Sequence, residues 1–313
     1  MDLCIIIPAY NSVETISITL DSIVKQKLNI IYEVILVNDC SDYDYSNYIE
    51  KYSKKINIRE IKTPKNIGPG GARQFGIDNS SSKYIIFIDS DDYFYDSKSI
   101  YKMYNEIESK NKDLVICNFV YERDNKVIIK KNDLTWLHGK IYRRKFIIDN
   151  NIRFNNSRAN EDNGFNRLFL LLKPKMSFLN EIVYVYKENP NSITRKNSRS
   201  YKFEGIEGFC YNMNWTIEEA LKRNVDISII GRLTLDILMT LYVYYFDLKD
   251  EYDVSKILVW AHDIYIKYKK VNLKIEDELI NDLLEKKKKL LDDDVNVIQY
   301  DFDFNKFLSM LEE

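Results

Sequence analysis

The chain is poor in the residues that loosen or cross-link a polypeptide. Nine glycines and five prolines in 313 residues leave little material for long flexible linkers. Four cysteines, Cys4, Cys40, Cys117 and Cys210, lie far apart and form no CxxC pair. That excludes a secreted-type disulfide framework and leaves buried or free thiols in a reducing compartment. An excess of one charge is also missing: 46 Lys+Arg stand against 48 Asp+Glu, a net charge of −2. A global basic field for nucleic acid is thereby excluded. No apolar run reads as a membrane span; the most apolar late stretch, Leu233 to Leu248, carries Asp236 and Asp247. The first residues lack a charged region and a small-residue cleavage site, so no secretory leader is expected. The expectation is a compact, soluble, cytoplasmic protein.

What is present is core material. Hydrophobic residues make up 45% and aromatics 13% of the chain, enough to bury a real interior. The length suggests two domains. Leu3 to Ile7, Glu33 to Val37, Asn57 to Ile61 and Tyr84 to Ile88 read as strands. Helical patterns separate them, one with Ile16, Leu20, Ile23 and Val24 on a single face, another over Gly71 to Asn79. Unalternated apolar strands separated by helices predict a parallel sheet covered on both sides. Between Leu114 and Lys130, two β-rich stretches flank Asp124-Asn125 and predict a hairpin. Beyond about Ser200 amphipathic helices dominate, including Ile275 to Leu291 with its lysine run.

In such a sheet the ligand crevice lies beyond the carboxyl ends of the strands. Three polar clusters fall there: Pro8-Ala9-Tyr10-Asn11, Asn38-Asp39-Cys40-Ser41-Asp42 and Asp89-Ser90-Asp91-Asp92. Asp39 or Asp42 alone reads as a helix cap. Three carboxylates within four residues repel one another unless solvent or a hard cation compensates them, and Mg²⁺ or Mn²⁺ suits oxygen ligands of this kind. The alternative is an N-cap for a helix starting near Ser97. Asn66-Ile67-Gly68-Pro69-Gly70-Gly71-Ala72-Arg73 permits close backbone approach at a helix start, where free N–H groups favour anions. It matches neither the dinucleotide-binding glycine pattern nor a P-loop.

Taken in order, these stretches resemble the family 2 glycosyltransferases of the GT-A fold. The resemblance rests on Ile5 to Asn11, Val37 to Ser41, Asn66 to Arg73, Phe87 to Asp92 and Asn160-Glu161-Asp162, and covers about residues 1 to 195. It implies an α/β fold with a mostly parallel central sheet flanked by helices. Residues 1–200 would form the transferase domain, with nucleotide-sugar binding in 1–100 and the acceptor side in 101–200; residues 201–313 would be a helical extension. Pro8, Ala9, Tyr10, Asn11, Asp39, Asn66, Gly68 and Arg73 would hold the base, ribose and diphosphate of a nucleotide-sugar. Asp89 and Ser90 would face the ribose, Asp91 would ligate a divalent metal, Mn²⁺ or Mg²⁺, and Asp162 would be the catalytic base. Asn189 stands near the position where many relatives have a metal-ligating His. His138 and Lys140, in Trp136 to Arg144, resemble the acceptor-side stretch and would contact phosphate or acceptor. His262 reads as structural.

The implied reaction is a metal-assisted single displacement that inverts the anomeric carbon, with UDP-sugar the expected donor. The acceptor stays open among glycan, lipid-linked, protein and modified nucleic-acid hydroxyls. Two alternatives stand beside it. A sugar-nucleotide nucleotidyltransferase would carry a Gly-rich, Arg-containing loop after the first strand, where Pro8 to Ser12 stands instead. A non-catalytic carbohydrate-binding or scaffold protein would have no need of both Asp91 and Asp162. The apolar faces of the C-terminal helices, with Ile229, Leu233, Ile237 and Leu241, suggest acceptor docking or a homo-oligomer contact.

Overall fold

The computed structural model describes residues 1–123, 126–189, 200–248, 253–270 and 304–312. The turn at Asp124-Asn125, the stretch Pro190 to Thr194 and the helix read over Ile275 to Leu291 lie outside these residues. Two compact units are present, Met1–Asn212 and Met213–Glu313.

The first unit is built on a nine-stranded sheet in the order β3-β2-β1-β4-β8-β6-β9-β5, with β7 on β6. Its strands are β1 (Leu3–Ala9), β2 (Tyr32–Asn38), β3 (Ile58–Lys62), β4 (Tyr84–Phe87), β5 (Tyr93–Phe94), β6 (Leu114–Arg123), β7 (Lys126–Lys130), β8 (Lys140–Arg143) and β9 (Met176–Tyr186). β1 pairs in parallel with β2 on one side and β4 on the other, and β2 with β3. Leu3, Cys4, Ile5, Ile6 and Ile7 are all fully buried, as strands covered on both faces require. Each such Ile or Leu contributes about 2 kcal/mol of apolar burial.

The rest of the sheet is mixed. β8 lies between β4 and β6 and runs antiparallel to both, whereas β6 and β9 are parallel. β6 and β7 form the antiparallel pair expected around Asp124-Asn125. α1 (Ile16–Val24) buries Ile16, Leu20 and Ile23 against the sheet. α2 (Ser46–Ser53), α3 (Gly68–Asp78), α4 (Ser99–Ser109), α5 (Arg144–Asp149) and α6 (Glu161–Leu171) complete the layers, followed by α7 (Ser200–Lys222). The chain runs from β1 to β2 on one side, then crosses from β3 to β4 on the other. The crevice of an open α/β sheet belongs at this reversal, beyond the ends of β1 and β4.

The second unit contains the rest of α7, then α8 (Ile227–Leu248), α9 (Ser255–Lys270) and α10 (Phe304–Met310). α8 packs on α9 and α10; the Tyr242 and Phe307 rings meet at 5.0 Å. His262 Nδ1 lies 2.8 Å from the Leu311 carbonyl. The late apolar stretch is longer than expected. α8 starts six residues before Leu233, so its stretch Ile227–Tyr245 is 19 residues of mean hydropathy 1.4, long and apolar enough to cross a membrane. Half of that stretch is buried within the protein, as in the core helix of a globular domain.

Candidate active site

β1 ends in Pro8 and Ala9 and opens into Tyr10, a residue 50% exposed, and Asn11, which has a left-handed φ of 51°. Asn11 knits this loop to the end of β2. Its N–H donates to Ser41 Oγ at 3.0 Å and its Nδ2 to Asp42 Oδ2 at 3.1 Å, while Asp42 N–H donates to Asn11 Oδ1 at 3.0 Å. Asp39 is buried and accepts three bonds: from Thr63 Oγ1 and Ile67 N–H at 2.9 Å, and from Gly68 N–H at 2.8 Å. It therefore caps α3 from a different strand. The helix starts three residues before the expected Gly71 because Asp39 satisfies its first free N–H groups and Pro69 occupies the first turn. Gly68, with φ +78°, makes the turn that aims its N–H at Asp39. Asn66 stays half-buried beside this start.

The run at the end of β4 divides by burial. Ser90 and Asp91 are half-buried, and Asp91 Oδ2 accepts a 2.8 Å bond from Asn189 Nδ2. Asp92 is fully buried; it accepts from Tyr184 Oη at 2.5 Å and Lys187 N–H at 2.9 Å, and its carbonyl from Thr19 Oγ1 at 2.7 Å. Burial, then the charges of Asp91 and Asp89, push the Asp92 carboxyl well above the usual range. Burial would also raise Asp89, but Arg73 and His138 outweigh it and hold that carboxyl low. The Arg73 guanidinium, expected at the diphosphate, is itself buried. Its Nη2 donates to Asp89 Oδ1 at 2.6 Å and its Nη1 to Glu161 Oε1 at 2.7 Å.

Asp162 follows Glu161 in the first turn of α6. The N-cap position is Asn160, left-handed at φ 59° and without a side-chain cap bond, so Asp162 lies inside the first turn and is not the N-cap. Asp162 is half-buried, and its Oδ1 accepts one 2.8 Å bond from Asn163 N–H. Burial first, then the Glu161 charge, push its carboxyl up to about 7, against the opposing pull of Arg73. A carboxylate with that pKa can take a proton near neutral pH.

His138 and Lys140 face inward. The imidazole stacks on Tyr184 at 4.7 Å, and its Nε2 lies 3.7 Å from Asp89 and 3.9 Å from Asp92. Its Nδ1 has no hydrogen-bond partner among the described residues, and burial drives its pKa down to about 4, so the ring is neutral at pH 7. Lys140 is fully buried, its Nζ donating to the Trp136 carbonyl and lying 3.7 Å from Asp133. Burial lowers the ammonium to about 8.

Two sets of groups offer hard ligands. Asp89, Asp92 and His138 each bring one ligand atom to within 4.8 Å of the others. Asp89 is committed to Arg73 there, and Asp92 to Tyr184 and Lys187. The second set is Asp91 with Asn189. Asp91 is partly exposed at the strand end, where a carboxylate suits a hard cation, and the Asn189 amide N–H donates to it.

Several supporting residues carry no local sequence signal. Thr19 and Tyr184 reach the β4 end from 73 and 92 residues away. Asn212, fully buried on α7, accepts from Asn155 Nδ2 at 2.7 Å and donates to the carbonyls of Ala159 (2.9 Å) and Gly208 (2.7 Å). It holds the loop that leads into α6.

Residues 4–159 match the sequence model of "Glycosyl transferase family 2". The chain is 29% identical over 215 residues to the uncharacterized glycosyltransferase EpsJ of Bacillus subtilis, a match covering 61% of this chain and 62% of EpsJ. A cholesterol galactosyltransferase of Borreliella burgdorferi is 27% identical over 311 residues, 88% of this chain and 82% of its own. The poly(ribitol-phosphate) β-N-acetylglucosaminyltransferase TarS of Staphylococcus aureus is 27% identical over 59% of this chain, which spans 35% of TarS. The chain thus spans less than two thirds of EpsJ and of TarS. The TarS 1-349 structure, solved with UDP-GlcNAc, superposes with a TM-score of 0.73 at 21% identity, over all of this chain and 91% of that one. Strand order, strand-end clusters and these likenesses agree: the chain belongs to glycosyl transferase family 2 through residues 4–159, and its fold is GT-A.

Proposed function

We propose that this protein transfers a sugar from a nucleoside diphosphate sugar, with UDP-sugar as donor, to an acceptor hydroxyl in one inverting displacement. The observation that carries this reading is the meeting of two carboxylate groups on one guanidinium. Arg73 bonds Asp89 at the end of β4 and Glu161 at the start of α6, which ties the strand end that carries Asp91 to the helix turn that carries Asp162 and supports reading them as metal ligand and base. The bound UDP-GlcNAc in TarS supports the donor class. Two relatives are named for acceptors that offer an aliphatic alcohol, poly(ribitol-phosphate) and cholesterol.

In this reading the loops after β1 and β2 and the start of α3 hold the nucleotide, with the exposed Tyr10 ring available to the base. Asp91 and the Asn189 amide oxygen would hold Mn²⁺ or Mg²⁺, which supplies positive charge to the departing diphosphate. Asp162 takes the proton of the acceptor hydroxyl as attack proceeds, since an alcohol is a poor nucleophile while it keeps that proton. His138, neutral and stacked on Tyr184, and Lys140, bonded to the Trp136 carbonyl, brace the wall between Asp89 and α6.

The test is a thermal melt with UDP, with and without Mn²⁺. UDP plus Mn²⁺ should raise the melting temperature more than UDP alone, because Asp91 and the diphosphate share the ion. The difference should vanish in Asp91→Ala. Equal stabilisation with and without metal would sink the metal-assisted reading.

A further inference from the structure

Glu161 is 6% exposed and Arg73 equally so, yet no cap or turn accounts for either. α6 begins on the left-handed Asn160 without a side-chain cap, so its first turn depends on other contacts. The Arg73–Glu161 pair supplies one, at 2.7 Å, and the same guanidinium reaches Asp89 at 2.6 Å. Gly70, three residues before Arg73 on α3, makes room for it. A Cβ at Gly70 would stand 2.7 Å from Glu161 Cγ, so no larger residue fits unless Glu161 moves.

We propose that Glu161 is a positioning residue: bonded through Arg73 to Asp89, it holds the first turn of α6, and with it Asp162, against the donor-side strand end. This rests on the reading of Asp162 as base. The bridge holds two carboxylates on one guanidinium and so carries a net negative charge beside Asp162. The charged and titratable groups acting on Asp162 are Glu161, Arg73, Asp89, Lys140 and Tyr142. Glu161, adjacent in the chain, acts on Asp162 more strongly than Asp89 does, and its charge keeps the Asp162 carboxyl a stronger base.

Glu161→Gln keeps the side-chain length and an oxygen for Arg73 but removes the charge. The base then loses a negative neighbour, its pKa falls, and the rising acid limb of the kcat profile moves to lower pH. With the first turn less firmly held, kcat should drop by about 10- to 100-fold while the donor KM stays within about threefold. A second variant, Gly70→Ala, changes no charge. Alanine favours the helix, so α3 should stay intact while the new methyl displaces Glu161. It too should lower kcat, and the double variant should lose less than the product of the two single losses.

Steady-state kinetics against pH, alongside circular dichroism and Asp162→Asn, separates the outcomes. If Asp162→Asn keeps its activity, the base reading fails and takes this one with it. If Asp162→Asn is inactive but Glu161→Gln leaves both kcat and the acid limb in place, the base reading stands and the positioning role is overturned. A fall in kcat with an unmoved limb and purely multiplicative losses overturns it as well. Should Glu161→Gln fail to fold, Gly70→Ala decides: kcat within twofold of the parent overturns the proposal.

Discussion

The end of β2 and the start of α6 carry the same kind of sequence, short polar residues around an aspartate, and the protein uses them differently. At Asp39 both carboxylate oxygens are occupied by donors from Thr63, Ile67 and Gly68, and the group is buried. At Asp162 a single backbone N–H is bonded, the carboxylate is half-buried, and its pKa is pushed up to about 7. The first arrangement spends a charge on holding α3 in place. The second keeps a charge unsatisfied at a crevice, which is costly for folding and useful for moving a proton. Residue type does not separate the two; the count of donors around each carboxylate does.

The sharpest way to break this contrast is to remove one charge at a time. Asp162→Asn should fold normally and bind UDP-sugar, yet transfer about 10²-fold or more slowly, because an amide accepts no proton at neutral pH. In the unaltered protein the rate should fall as pH drops below about 7, since the carboxylate must be ionised to act as base. Transfer assays across pH check both, and a rate within a few-fold of the parent would make Asp162 an ordinary first-turn acid. Asp39→Asn should act mainly on stability. Its new NH₂ faces N–H donors at the α3 start, a loss of about 3 kcal/mol readable by urea titration. A smaller effect is expected at Asn212→Ala, about 1–2 kcal/mol, from the unpaired Asn155 amide and Ala159 carbonyl. Because that loop leads into α6 and not to the nucleotide loops, UDP affinity by calorimetry should stay unchanged.

The sequence makes the donor half of the fold readable and leaves much of the acceptor half obscure. β1, β2 and β4 carry short unbroken apolar runs buried on both faces, Leu3 to Ile7, Val34 to Val37 and Tyr84 to Phe87, so pattern alone locates them. β8 is a four-residue strand, Lys-Ile-Tyr-Arg, too short for any period to register. β9 has only half-buried and exposed positions along its first half, which hides it from a reading by alternation. The same division holds in the site. Asp89, Asp91 and Asp162 are singled out as candidates by their neighbours in sequence, whereas the Arg73–Glu161 pair joins residues 88 apart. Nor does residue type reveal that Lys140 is wholly buried, its ammonium on the Trp136 carbonyl.

Asp92 bears on how an inactive control should be chosen. Among the four residues from Asp89 to Asp92 it is the one that faces no solvent, and three separate segments end on it: Thr19 of α1, Tyr184 of β9 and the main chain at Lys187. An alanine scan scored only by product formation would record position 92 as essential and group it with Asp91. The cause would be different, since loss of the Asp92 carboxylate strands a buried phenol and a backbone N–H without acceptors and releases the segment that carries Asn189. Asp91→Ala and Asp162→Asn are the substitutions that test chemistry; Asp92→Ala would test whether the end of β4 still has a shape.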